Sequence, residues 1–125
     1  MKTFRLDSAE ISRLISKRDV RGLIGALRSD EKDLRWMAVG GLGELRDAAA
    51  VDPLICTLSD PDPDVRWKAA EALGSIGDSR ATEALIPLLK DPDETTRLQA
   101  IWALGKIRDP RATTDVVHCM SDADH

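Results

Sequence analysis

The sequence has no tyrosine, one phenylalanine and three tryptophans in 125 residues. Its core must therefore be built from Leu, Ile, Val and Ala, with stability drawn from many modest contacts. It has no basic excess. The net charge is −4 and the pI is near 5.1, which argues against general phosphate-backbone binding. No run approaches the roughly 20 apolar residues of a membrane span. The opening MKTFRLDSAE lacks the apolar stretch of a secretory signal. Cys56 and Cys119 occupy unmatched positions and read as reduced thiols. These absences lead to the expectation of a cytoplasmic protein with no membrane and no nucleic-acid partner.

Signals of catalysis are also scarce. The only histidines are His118 and His125, and there is no His-Glu-x-x-His and no Cys-x-x-Cys. His118, Cys119, Asp122, Asp124 and His125 could offer metal ligands, but a terminal tail does so by chance often. No metal, cofactor or catalytic residue is expected.

What the sequence does have is a period of 31 residues, read three times. Arg35, Arg66 and Arg97 keep that spacing. So do Ala38, Ala69 and Ala100; Leu42, Leu73 and Leu104; Gly43, Gly74 and Gly105; and Asp47, Asp78 and Asp109. A period of this size marks stacked supersecondary units. Each unit reads as two helical patterns separated by a short acidic turn. In 63–76, Val65, Ala69, Ala72, Leu73 and Ile76 share one helical face. Asp62 suits the N-cap, Pro63 the first helical position and Gly77 a left-handed close. Arg46 and Arg108 stand where Gly77 does, so those turns are expected to close differently. The first helices are apolar over a wider arc, and Pro53 and Pro87 should kink or delay them. Asp7-x-x-Glu10 reads as a capping box. The whole chain then forms a single domain: a lone helix at about 7–17, hairpins at about 19–46, 50–77 and 81–108, and a lone helix at about 112–120.

The run from Asp60 to Asp78, D-P-x-x-x-V-R-x-x-A-A-x-A-L-G-x-I-G-D, resembles the short HEAT-like repeat of phycobilisome lyases. The resemblance covers nearly the whole chain. It implies an all-α fold, a right-handed α-solenoid (an α-α superhelix) whose second helices line the concave side. It also implies that the turn Asp pairs with the Arg six residues on, Asp60 with Arg66 and Asp91 with Arg97. Ser29 stands at that Asp position in the first unit. The fold says little about activity, because one scaffold hosts many functions.

Helical arithmetic isolates a stripe that the core does not need. Trp67 falls almost opposite Leu73 and Ala69; Trp36 and Leu98 hold the same repeat position, and Met37 and Trp102 add to that side. An exposed apolar stripe marks an interaction site and favours tryptophan as anchor. The rings could instead lie flat over small residues such as Ala70 and Gly74 and only fill space. The repeated glycines would then mark close helix approach or room for the rings. The candidate site is thus Trp36, Met37, Trp67, Leu98 and Trp102, with Arg35, Arg66 and Arg97 as polar contacts. The expected function is a non-catalytic scaffold or adaptor that binds a protein partner on its concave face. A bilin-handling, lyase-like subunit is the first alternative, by family analogy. A structural solenoid that associates end to end is the second, because the terminal helices keep apolar faces.

Overall fold

The structure is a computed structural model and describes residues 6–112. Among these are seven α-helices and no strand: α1 (Ser8–Ser16), α2 (Val20–Ala26), α3 (Lys32–Leu45), α4 (Val51–Thr57), α5 (Pro63–Ile76), α6 (Thr82–Leu85) and α7 (Glu94–Ile107). Short 3-10 turns cover Ala48–Ala50, Ser79–Ala81, Ile86–Lys90 and Pro110–Ala112. The long second helices stack in sequence, α3 on α5 and α5 on α7, and the short first helices α2, α4 and α6 pack behind them. The result is an all-α superhelix. The lone helix expected at about 112–120 falls, after its first residue, outside the described residues.

Local chemistry sets the boundaries. Asp7, Asp19, Asp62 and Asp93 each accept a backbone N–H of the helix they precede, satisfying donors that the first turn leaves free. Only half of the expected capping box forms. Asp7 accepts from the Glu10 N–H at 2.8 Å, while the Glu10 carboxylate pairs with Arg13 at 2.7 Å. Asp47, Asp78 and Asp109 cap the 3-10 turns that lead into the next unit.

The second helices all close alike, contrary to expectation. Gly77 is left-handed at φ 76°, but so are Arg46 at φ 52° and Arg108 at φ 58°. In each case the cap N–H bonds to the leucine carbonyl four residues back, at 3.1 Å, 2.9 Å and 3.0 Å for Arg46, Gly77 and Arg108. The bond and the tight link to the next unit outweigh the cost of about 1–2 kcal/mol for a side chain in this region.

Proline shapes the first helices. Pro53 sits in the first turn of α4, where its missing N–H costs nothing. Pro87 cannot continue α6, and the chain tightens into the 3-10 segment Ile86–Lys90. One continuous core runs the length of the stack through Ile11, Leu23, Leu42, Leu54, Leu73, Leu85 and Leu104.

The units are locked by an arginine–aspartate ladder, and its direction differs from the pairing that the resemblance implied. Arg66 does turn back to Asp60, but onto its backbone carbonyl, at 3.0 Å. The guanidinium instead grips the carboxylate of the following unit, Asp91, at 3.0 and 3.1 Å. Arg35 repeats this with the Ser29 carbonyl and the Asp60 carboxylate. Asp60 does not pair with Arg66 through its side chain, nor Asp91 with Arg97. A guanidinium is planar with five donors, so it can bind a carbonyl on one edge and a carboxylate on the other. That geometry lets one residue tie the turn before its own helix to the equivalent turn of the next unit.

Candidate interaction surface

On the second-helix side, Trp36 of α3 and Trp67 of α5 meet edge to face, with ring centroids 6.4 Å apart and planes at 76°. Such a contact adds roughly 0.5–1.5 kcal/mol beyond area burial. The Trp67 indole N–H bonds to Asp64 one turn earlier, at 3.2 Å, which fixes its ring. Trp36 remains 37% exposed, whereas Trp67 is half-buried.

Lys68 joins the pair. Its ammonium stands 4.6 Å from the Trp36 ring centroid and 5.5 Å from that of Trp67, and bonds to Glu71 at 2.8 Å. Gly40 gives its stem room, because a Cβ there would lie 3.2 Å from the Lys68 Cε. A cation over two aromatic faces is held by both quadrupoles. Lys68 is not among the candidate residues that the sequence offers; its position directly after Trp67, opposite a glycine of the preceding unit, is the signal for it.

Beside this cluster lies an open groove of about 700 Å³ between α1, α3 and α5. Ile15, Trp36 and Met37 give it an apolar side; Glu44, Arg46, Lys68 and Glu71 add charges of both signs to its lining. A smaller hollow of about 290 Å³ on the other flank of the tryptophans is lined by Lys32, Asp62 and Asp64. There Asp62 is held below the usual carboxylate range, first by the Asp64 N–H it accepts and then by Lys32 at 3.3 Å. Both flanks therefore carry mixed charge around an aromatic centre. Among the described residues no group of three His, Cys, Asp or Glu is placed to hold a metal ion.

The other anchors are arranged differently. Leu98 is 58% exposed on α7. Trp102 lies over Gly74, where a Cβ would come within 2.7 Å of its ring, yet keeps 42% of its surface open; Lys106 stands 6.0 Å from its centroid. Arg35, Arg66 and Arg97 belong to the ladder at the helix starts rather than to the tryptophan cluster. The side chains of Arg35 and Arg66 are only 15% and 17% exposed. Arg97 bonds to the carbonyls of Asp91 and Pro92.

The repeated helical hairpin has counterparts among known proteins. The HEAT repeats family matches residues 20–89 and 58–125. The chain belongs to the HEAT-repeat family. Among solved structures it is similar to the complex of CpcE and CpcF of phycocyanin lyase from Nostoc sp. PCC7120, with a TM-score of 0.73 and 29% identity over 92% of this chain. It spans 42% of that lyase chain. An engineered protein has the same fold, with a TM-score of 0.66 and 22% identity over 91% of this chain and 56% of its own. No curated protein sequence matches it. No described helix is long and apolar enough to cross a membrane.

Proposed function

We propose that this HEAT-repeat chain is a non-catalytic adaptor that holds a protein partner on its second-helix, concave face. The observation that supports this reading best is the Trp36–Trp67 pair bridged by Lys68 at the edge of an open groove. Rings fixed by each other and by Asp64 lose little freedom when a partner covers them. Met37, Leu98 and Trp102 extend the apolar contact, and the charges around it suit a polar rim. Arg35, Arg66 and Arg97 hold the register of the helices that present these anchors.

The test is recovery of a partner from host lysate by the wild type and by a Trp36→Ala, Trp67→Ala, Leu98→Ala variant of equal helicity, followed by titration of the purified partner. Binding by the wild type that the variant loses supports the adaptor. Equal binding by both would make the cluster packing alone.

A second reading has one specific support, the 29% identity to a chain of a phycocyanin lyase complex. On that reading the chain is part of a two-subunit, bilin-handling assembly, and the tryptophan-lined groove stacks a flat tetrapyrrole. Absorbance of a bilin mixed with the protein separates the two readings. A shifted band that Trp36→Ala abolishes favours the lyase-like role; an unchanged spectrum at high protein concentration removes it.

A further inference from the structure

The side of α7 turned away from α5 carries a pattern that fits itself. Glu94, Leu98, Ile101, Gly105 and Arg108 are spaced by four, three, four and three residues, so they form one stripe along the helix. In the two preceding units this side is covered. Val39 and Ala70, which stand where Ile101 does, are fully buried. Gly43 sits where a Cβ would come 3.1 Å from the Ala72 backbone, and Gly74 within 2.8 Å of that of Ala103. On α7, Ile101 is half-buried, Leu98 and Gly105 are exposed, and no described atom outside the surrounding turns of α7 itself lies within 4 Å of a Cβ built at Gly105.

We infer that this stripe is an isologous interface with a second copy of the chain, α7 packing antiparallel on its symmetry mate. The order of residues requires that orientation. Reversing one helix about Ile101 brings Leu98, three residues from the axis, within one residue's rise of Gly105, four residues from it, so a projecting side chain can enter a notch on each side of the axis. The same operation sets Glu94 opposite Arg108, twice. Each charge also lies at the end of α7 whose dipole favours it, Glu94 in the first turn and Arg108 at the C-cap. The neighbouring cations do not oppose this: Arg97 is turned back to the Asp91 and Pro92 carbonyls, and Lys106 faces Trp102. The contact repeats the helix-on-helix packing of α3 with α5 and α5 with α7, with the direction of one helix reversed. It shares Leu98 with the proposed partner surface but not Trp36 or Trp67, and Glu94, Ile101, Gly105 and Arg108 belong to it alone, so variants at those positions test the two proposals separately.

Sedimentation equilibrium of the full chain from roughly 10 μM to 1 mM, the range in which a small interface associates, reads the outcome. The wild type should pass from monomer to dimer. Glu94→Arg or Arg108→Glu alone should weaken the dimer by about tenfold or more, and the two together should restore it. Ile101→Cys in a Cys56→Ser, Cys119→Ser background should give an inter-chain disulfide on mild oxidation, with cysteines meeting at the axis. A wild type that stays monomeric overturns the inference. Slow labelling of the Ile101→Cys variant by a thiol reagent would then mean that residues 113–125 cover the stripe, and fast labelling that it serves another protein. A dimer indifferent to both charge reversals also overturns it. A Trp36→Ala, Trp67→Ala variant that keeps Leu98 separates the faces further, because it should leave self-association unchanged.

Discussion

Asp60 accepts two hydrogen bonds from the Arg35 guanidinium of the preceding unit, at 2.9 and 3.2 Å. The same carboxylate accepts the Asp62 N–H at 2.9 Å, and the Asp60 carbonyl accepts from Arg66. One residue thus shapes its own turn, holds the start of the helix that follows it and fastens the unit before it.

Asp60→Ala should therefore cost more than a surface ion pair. It leaves Arg35, only 15% exposed, without its carboxylate and the Asp62 N–H without its acceptor, a loss of about 2–3 kcal/mol. Arg35→Met should cost less, about 1 kcal/mol, because Asp60 keeps its turn bond. Urea denaturation of both single variants and the double variant measures the coupling; strictly additive losses would contradict the ladder.

The three left-handed caps predict opposite signs. Arg46→Gly should stabilise by roughly 1 kcal/mol, since glycine carries no penalty at φ 52°. Gly77→Ala should destabilise by a similar amount at φ 76°. Thermal unfolding of the pair decides, and a shared sign would contradict the cap geometry.

Glycines at one repeat position should likewise diverge. A Cβ at Gly74 meets the Ala103 backbone at 2.8 Å, so Gly74→Ala should lose about 1–3 kcal/mol through overpacking. Gly105→Ala meets nothing among the described residues and should gain up to about 1 kcal/mol from helix propensity. Circular dichroism melts at low concentration, where the chain is monomeric, compare them.

These contrasts bear on what was legible beforehand. The period of Arg35, Arg66 and Arg97 announced the stack, and helical arithmetic set Trp36 and Trp67 opposite the core. The direction of the ladder was not legible: an aspartate six residues before Arg66 and one 25 residues after it obey the same period, and only the packed register selects between them. The caps at Arg46 and Arg108 were hidden for a similar reason. Local preference disfavours a left-handed arginine, and the docking of the next unit overrides it. Lys68 was missed because its role depends on a ring in the neighbouring unit and on the absence of a side chain at Gly40.

Acid should loosen the turns in a defined direction. Asp78 and Asp109 are held below their ordinary value chiefly by hydrogen bonds from Arg80 and Arg111, and Asp93 chiefly by the Thr96 hydroxyl. A carboxylate with a lowered folded pKa binds its proton more readily when unfolded. Its stabilisation is complete above the unfolded value near 3.8 and is lost as pH falls through the lower folded values. Stability at moderate salt should therefore be insensitive to these groups from pH 7 to about 5 and decline below about 4. Asp109→Asn should flatten that decline in a pH series of urea midpoints.

The offset of the Arg–Asp ladder has one more consequence. Removing residues 47–77 would leave Arg35 facing Asp91, 25 places ahead in the shortened chain, and Gly43 facing Ala103. Every lock finds an equivalent partner. Removing thirty or thirty-two residues would misalign all of them at once. Length in this molecule is therefore quantised: the chain can lose or gain whole modules and still close its seams, and a slip of a single residue is the change its architecture resists most.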